Sequence, residues 1–492
     1  MHMTRRCLLT LALVLGYTTP SAGQQTDADR QTTLELLRAM NARDTVALRR
    51  FVDDHFVTSG PGVPTPEVRV GRLLAIRSNL GQLDFAKVDT GGANEFVSLV
   101  ENKRTEEWSR FALVFDGTSA RRVRGLRVSP TPAPDAPTSR LSDAEIVAQV
   151  KGYVERLASR DAFSGAVLLA KSGKPLYRAA FGEANKDFGV ANTVDTKFNL
   201  GSMNKMFTAV SVLQLVEKGK LSLDDTLGKF LPAGAMRPEV LSKVRIKHLL
   251  SHTSGLGSYF TEEWDGMSRA RFRSVDDWMA LVKPESLAFE PGTKWSYSNT
   301  GMLVLGKVIE VASGQDYFAY VRDHVYQPAG MTNSDAYELD HVNRNLAVGY
   351  EREETPHGVE YRNNIFQHVI RGGPAGGGYS TVDDLTRFAE ALKAGRLVSA
   401  ASVQLLTSPK PELSSPTYGF GFVIDEGGKV VGHSGGFPGI NSQLDIYVGE
   451  GYTFAVMANY GDAAQRVAQK VRTLVLAGRR SRAVSAATSP RH

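Results

Sequence analysis

The segment "FNLGSMNKMFTAVSVLQLVEKGK", residues 198–220, limits the fold more than any other. Met206, Phe207, Ala209, Val210, Val212, Leu213, Leu215 and Val216 make this helix apolar on nearly every side, with Gly219 placed to stop it near Glu217. A helix with no polar face is buried, so the rest of its domain must wrap around it. The flanking sequence supplies the wrapping. "FSGAVLLAKSGKPLYRAAFGE" reads as a hairpin turning at Ser172-Gly173-Lys174, before a helical stretch of roughly residues 200 to 400. Strand patterns return in "YGFGFVIDEGGKVVGHSGG" and "QLDIYVGEGYTFAVMANY", and "AAQRVAQKVRTLVLAG" closes as a helix with Val467, Val471 and Leu474 on one face. Strands from both ends of the domain therefore enclose a helical insertion.

A chain of 492 residues suggests two or three domains. "SPTPAPDAPTS", residues 129–139, has no apolar period and reads as a linker, spanning 129–140 in the domain division. Before it, helical spacing at Leu34, Leu37, Met40 and at Leu48, Phe51, Val52 is followed by three strand-like runs, "EFVSLVEN", "SRFALVFDG" and "RVRGLRVSP". Residues 24–128 thus read as a small α+β accessory unit, NTF2-like or cystatin-like in element order, without a catalytic cluster. The fold class is α/β (α+β): an antiparallel sheet flanked by helices plus a helical subdomain in 141–480. Ser142 and Glu145 form a capping box at its start.

The first 23 residues read as a secretory signal: Arg5 and Arg6, an apolar run from Leu8 to Leu15, and Ser21-Ala22-Gly23 for cleavage. The expected location is secreted or periplasmic. Cys7, the only cysteine, leaves with the leader. The formal charge of +6 is carried by Arg5 and Arg6 in the leader and Arg479, Arg480, Arg482 and Arg491 in the tail, 481–492 being a basic, disordered end. The body is near neutral, which gives no argument for a nucleic-acid partner.

Gly432-His433-Ser434-Gly435-Gly436 fits the G-x-S-x-G nucleophile pattern, but strand rather than helix follows, and the only later histidine is His492. Ser434 is therefore not the nucleophile. Ser202 and Lys205 form S-x-x-K at the start of the buried helix, where residues three apart share a face. Burial disfavours the ammonium form, so Lys205 can activate the Ser202 hydroxyl, and the N–H groups of the helix start suit charge developing on a carbonyl oxygen. Tyr297-Ser298-Asn299 precedes a second apolar helix. Near a lysine ammonium, the phenol of Tyr297 is expected as a phenolate general base, and Asn299 as the group that orients Lys205 and substrate.

Together with "IKHLLSHTSGLGSY", "FEPGTKWSYSN", "QPAGMTNSDA" and "GPAGGGYSTVDDLTRF", these elements make residues 142 to 478 resemble the serine β-lactamase and penicillin-recognising superfamily, in its class C-like branch with family VIII esterases, D-aminopeptidases and DD-carboxypeptidases. The resemblance implies Ser202 as acyl acceptor, Lys205 as its activating partner and Tyr297 as the base that shuttles the proton and later activates water. Asn299, His433, Ser434, Gly435 and Gly436 would line the substrate, with the oxyanion between the Ser202 N–H and one near Gly436. His433 stands where many relatives have lysine, which moves the expected substrate from β-lactams towards small esters and D-amino-acid amides or peptides. The alternatives are β-lactamase or DD-carboxypeptidase activity, or a catalytically weak sensor. No cofactor or metal is expected. His248 and His252 in "HLLSH" have ligand spacing, but the metalloprotease pattern needs Glu where Leu249 stands. The glycines of "GGPAGGGYS", residues 372–380, either allow tight packing or border the cleft, with Ser380 and Asp383 as caps of the next helix.

Overall fold

The structure, a computed structural model, describes residues 22–118, 120–355 and 358–479. The expected leader, up to residue 21, and the tail from 480 lie outside these residues. Arg479, however, belongs to the folded body, where it pairs with Glu450. The chain divides into two compact units, Met1–Asp135 and Ala136–His492.

In the first unit, helices α1 (Ala22–Ala42), α2 (Thr45–His55) and α3 (Pro66–Leu80) precede an antiparallel meander of β1 (Asp84–Asp89), β2 (Glu95–Asn102), β3 (Glu107–Phe115) and β4 (Val123–Thr131). Asp44 caps α2 by accepting the Val46 and Ala47 N–H groups. Leu36, Met40, Leu48 and Val52 pack on Val100, Phe111 and Leu113 of the sheet. The expected linker begins too early, since Ser129 to Thr131 pair with β3 as the end of β4.

The second unit holds a six-stranded antiparallel sheet. α4 (Asp143–Ser159) starts with the expected Ser142–Glu145 capping box and leads into β5 (Gly165–Lys171) and β6 (Lys174–Phe181). The helical subdomain contains α5 (Asn204–Glu217), α6 (Asn299–Ser313) and α7 (Val382–Lys393). Its helical run is interrupted by a hairpin of Tyr350–Thr355 with Gly358–Asn363. The chain then returns to the sheet through β7 (Val423–Asp425), β8 (Val430–Phe437), β9 (Ile440–Tyr447) and β10 (Tyr452–Ala458), and ends in α8 (Ala463–Val475). The strand order is β7-β8-β9-β10-β5-β6, so β10 pairs directly with β5 from the far side of the insertion.

Alternation along β5 divides the core in two. Ala166, Leu168 and Ala170 face the helical subdomain, while Val167 and Leu169 face α4 and α8. α5 runs through the first of these cores: Met206, Phe207, Val210 and Leu213 are fully buried. Thr381, not Ser380, caps α7 by accepting the Asp384 N–H, while the Ser380 hydroxyl pairs with Ser334. No helix among the described residues is long and apolar enough to cross a membrane.

Candidate active site

Ser202 lies not in the α-helix itself but in a 3-10 turn, Gly201–Met203, that runs into α5. Two close approaches fix this turn against β8. Gly201 has φ of 52°, and a Cβ there would stand 2.9 Å from the Gly436 nitrogen; a Cβ on Gly435 would stand 2.0 Å from the Leu200 carbonyl oxygen. Only glycine at these two positions lets the Ser202 turn and the strand meet. β7 covers β8 only as far as Gly432, so His433–Phe437 is an uncovered edge facing the turn.

Lys205 is completely buried. Its Nζ lies 3.0 Å from Ser202 Oγ, 2.9 Å from Asn299 Oδ1 and in hydrogen-bonding contact with the Ala375 carbonyl. Burial holds its pKa well below the ordinary lysine value. The partners fit a neutral amine: the amide and peptide oxygens can only accept, using its two N–H groups, so its lone pair is left for the Ser202 O–H. The Asn299 amide also donates to Ser258 Oγ at 3.2 Å, which fixes its orientation.

Tyr297 precedes α6, whose N-cap is Ser298. Its side chain lies close enough to Ser202 to interact with it, and its ring centroid lies 4.9 Å from Lys205 Nζ. The hydroxyl, the amine and the phenol, from segments nearly a hundred residues apart, therefore meet. The expected phenolate is not what this environment favours. Desolvation raises the Tyr297 pKa above its ordinary value, and the neighbouring Ser202 side chain offsets this only in part. With Lys205 depressed as well, burial favours a neutral amine beside a neutral phenol.

His433 also departs from expectation. It is 2% exposed. One ring nitrogen, Nδ1, lies 2.6 Å from the Ser434 carbonyl, and the other, Nε2, lies 3.0 Å from the Tyr418 hydroxyl. A carbonyl only accepts, so Nδ1 carries the hydrogen and Nε2 accepts from Tyr418. Burial, with Lys205 nearby, pushes its pKa down to about 3. Burial and these two partners thus favour a neutral His433 in the wall of the site, while Ser434 is half-buried and Gly436 exposed on the free edge. Past them, Phe437 stacks on Phe260 at 5.9 Å, and Phe260, 45% exposed, meets Trp264 edge-on at 4.8 Å.

The glycine-rich loop both packs tightly and borders the site. Gly373, Pro374 and Ala375 present successive carbonyls to Asn204, Thr208 and Lys205 of α5. The Gly377 N–H donates to the Gly201 carbonyl at 3.0 Å. Its run of glycines marks a close approach, but which carbonyl reaches Lys205 is not readable from sequence. His248 and His252 do not form a metal pair: each Nδ1 accepts a backbone N–H, from Arg245 and Ser298 respectively.

The family model described as Beta-lactamase matches residues 150–478. The chain belongs to the beta-lactamase family. Penicillin-binding protein 4* of Bacillus subtilis is 34% identical over 328 residues, covering 62% of this chain and 70% of the relative. Esterase EstB of Burkholderia gladioli is 30% identical over 322 residues, covering 58% and 80%. Among solved structures, a penicillin binding protein from Bacillus halodurans superposes with a TM-score of 0.58 at 29% identity, covering 68% of this chain and 99% of that one. A D-stereospecific amidohydrolase from Streptomyces sp. gives 0.54 at 25% identity, covering 67% and 98%. This beta-lactamase-family chain is a serine hydrolase, and its first 149 residues lie outside the family match.

Proposed function

We propose that this protein is an exported serine hydrolase that forms an acyl-enzyme on Ser202 and acts on small esters or D-amino-acid amides. The three-way hydrogen bonding of Lys205 to Ser202, Asn299 and Ala375 carries this reading. The Ser202 oxygen attacks the acyl carbon as its proton passes to the Lys205 lone pair. The oxyanion forms against the Ser202 N–H and the free edge near Gly436. Tyr297 passes a proton to the leaving ester oxygen or amide nitrogen, and water attacks the acyl carbon by the reverse relay. Export rests on the Arg5-Arg6 and Leu8–Leu15 leader pattern.

The neutral, occupied imidazole of His433 supports substrates without the carboxylate that β-lactams and peptidyl carboxypeptidase substrates carry. p-Nitrophenyl butyrate and D-alanyl p-nitroanilide are expected to turn over at least about 100-fold faster, in kcat/KM, than a chromogenic cephalosporin. A fluorophosphonate adduct should map by mass spectrometry to Ser202. An adduct elsewhere, or preferred cephalosporin turnover, refutes the reading.

Phe260 and Phe437 offer the acyl chain an apolar wall beyond the oxyanion edge. Burying two more methylenes is worth about 0.8 kcal/mol each, or roughly tenfold in selectivity. Phe260→Ala should therefore lower the butyrate-to-acetate ratio of kcat/KM by about tenfold. An unchanged ratio would remove the wall from the acyl site.

A further inference from the structure

His252, the second histidine of "HLLSH", takes no part in the acyl-transfer steps above, yet it is held in an unfavourable state. It is completely buried, and its backbone has φ of 59°, a left-handed conformation uncommon outside glycine. Its Nδ1 accepts a backbone N–H, so Nε2 carries the hydrogen, and that N–H has no hydrogen-bond partner among the described residues. Strain and an unsatisfied buried donor at one residue point to a constraint from its surroundings.

We infer that His252 is a positioning residue for Tyr297, gripping the backbone on both sides of the phenol and supporting its ring from beneath. The Ser296 N–H donates to the His252 carbonyl at 2.9 Å, and the Ser298 N–H donates to its Nδ1 at 3.2 Å. These two peptides flank Tyr297. The left-handed turn lets one residue present its carbonyl and its ring nitrogen to the same strand of chain. The imidazole lies 4.4 Å from the Tyr297 ring and 4.5 Å from the Tyr418 ring, centroid to centroid. Tyr418 in turn is tied to His433 on β8. His252 thus connects the phenol to the wall strand through packed rings, and holds its hydroxyl at Ser202 without touching the reacting atoms.

This inference rests on the acyl-enzyme reading of Ser202, and the test separates the two. Asparagine tolerates φ above zero and carries an oxygen near the position of Nδ1, while glycine tolerates the backbone but has no acceptor. With active sites counted by fluorophosphonate labelling, His252→Gly is expected to lower kcat for p-nitrophenyl butyrate about 30-fold with KM within about threefold. His252→Asn is expected to stay within about fivefold of the wild type. Equal losses in both variants, a loss expressed in KM, or a loss that vanishes after active-site counting overturns the inference. If the glycine variant does not fold, a 30-fold loss in His252→Asn alone is enough to overturn it. Absence of a Ser202 adduct in the wild type instead overturns the acyl-enzyme reading.

Discussion

Replacing Lys205 with methionine is expected to lower kcat/KM for p-nitrophenyl butyrate by at least about 10³-fold, within the span of positioned acid–base catalysis. Methionine is apolar and unbranched, so it suits a completely buried site in α5. It cannot accept the Ser202 proton. Wild-type activity carries a matching pH signature. Below the lowered pKa of Lys205 the amine is protonated, its lone pair is gone, and the rate falls; above it the rate is flat. Because burial sets that pKa well below 10.5, the plateau should be reached far under the ordinary lysine range. A pH profile of kcat/KM still rising between pH 9 and 10.5, and rising likewise in Tyr297→Phe, would mean that Lys205 keeps an ordinary pKa, and near-normal turnover in Lys205→Met would remove it from proton transfer. Stability is linked to the same shift. Between the folded pKa and 10.5 the unfolded chain binds the extra proton, so the folded state gains stability as pH rises through that window.

The contact of Ser202 with Lys205 is legible in sequence because its geometry is local. Ser202 and Lys205 are three residues apart at one helix start, and the all-apolar face of α5 announces burial. What depends on tertiary contact is not. The Ala375 carbonyl reaches Lys205 from 170 positions away, and no residue type advertises a backbone acceptor. The sign of the Tyr297 shift turned on a competition between desolvation and a nearby cation, and the cation itself is suppressed by burial. The rotamer and tautomer of His433 are hidden for the same reason, since they are set by partners such as Tyr418, outside its motif. In the first unit, α3 is hard to read from sequence for a related reason. Its buried face is Arg69, Leu73 and Arg77, so the expected apolar period is carried partly by charged residues. The Arg69 guanidinium donates through its two terminal nitrogens to the Arg124 and Val57 carbonyls and stacks over Phe56. β1 was missed because it is an edge strand with little buried surface and no clear alternation.

Tyr297→Phe is expected to lower kcat for p-nitrophenyl butyrate by about 10³-fold, while leaving the melting temperature within a few degrees of the wild type. The substitution removes one oxygen and keeps the ring, so the packing on His252 at 4.4 Å and the face towards Lys205 at 4.9 Å persist. What is lost is the hydroxyl beside Ser202, the group able to return a proton to the leaving oxygen in acylation and to take one from water in deacylation. Both half-reactions should slow. Stopped-flow turnover would then show a slower burst and a slower steady state, rather than a normal burst followed by a stalled acyl-enzyme. The direction of the Tyr297 shift adds a second constraint. A phenol raised above its ordinary pKa stays protonated through the neutral range and serves as a relay, so the wild-type plateau should show no further climb as pH approaches 10. A climb that disappears in Tyr297→Phe would make the phenolate the working base. A normal burst in the variant would confine Tyr297 to deacylation and leave Lys205 as the sole proton acceptor in acylation.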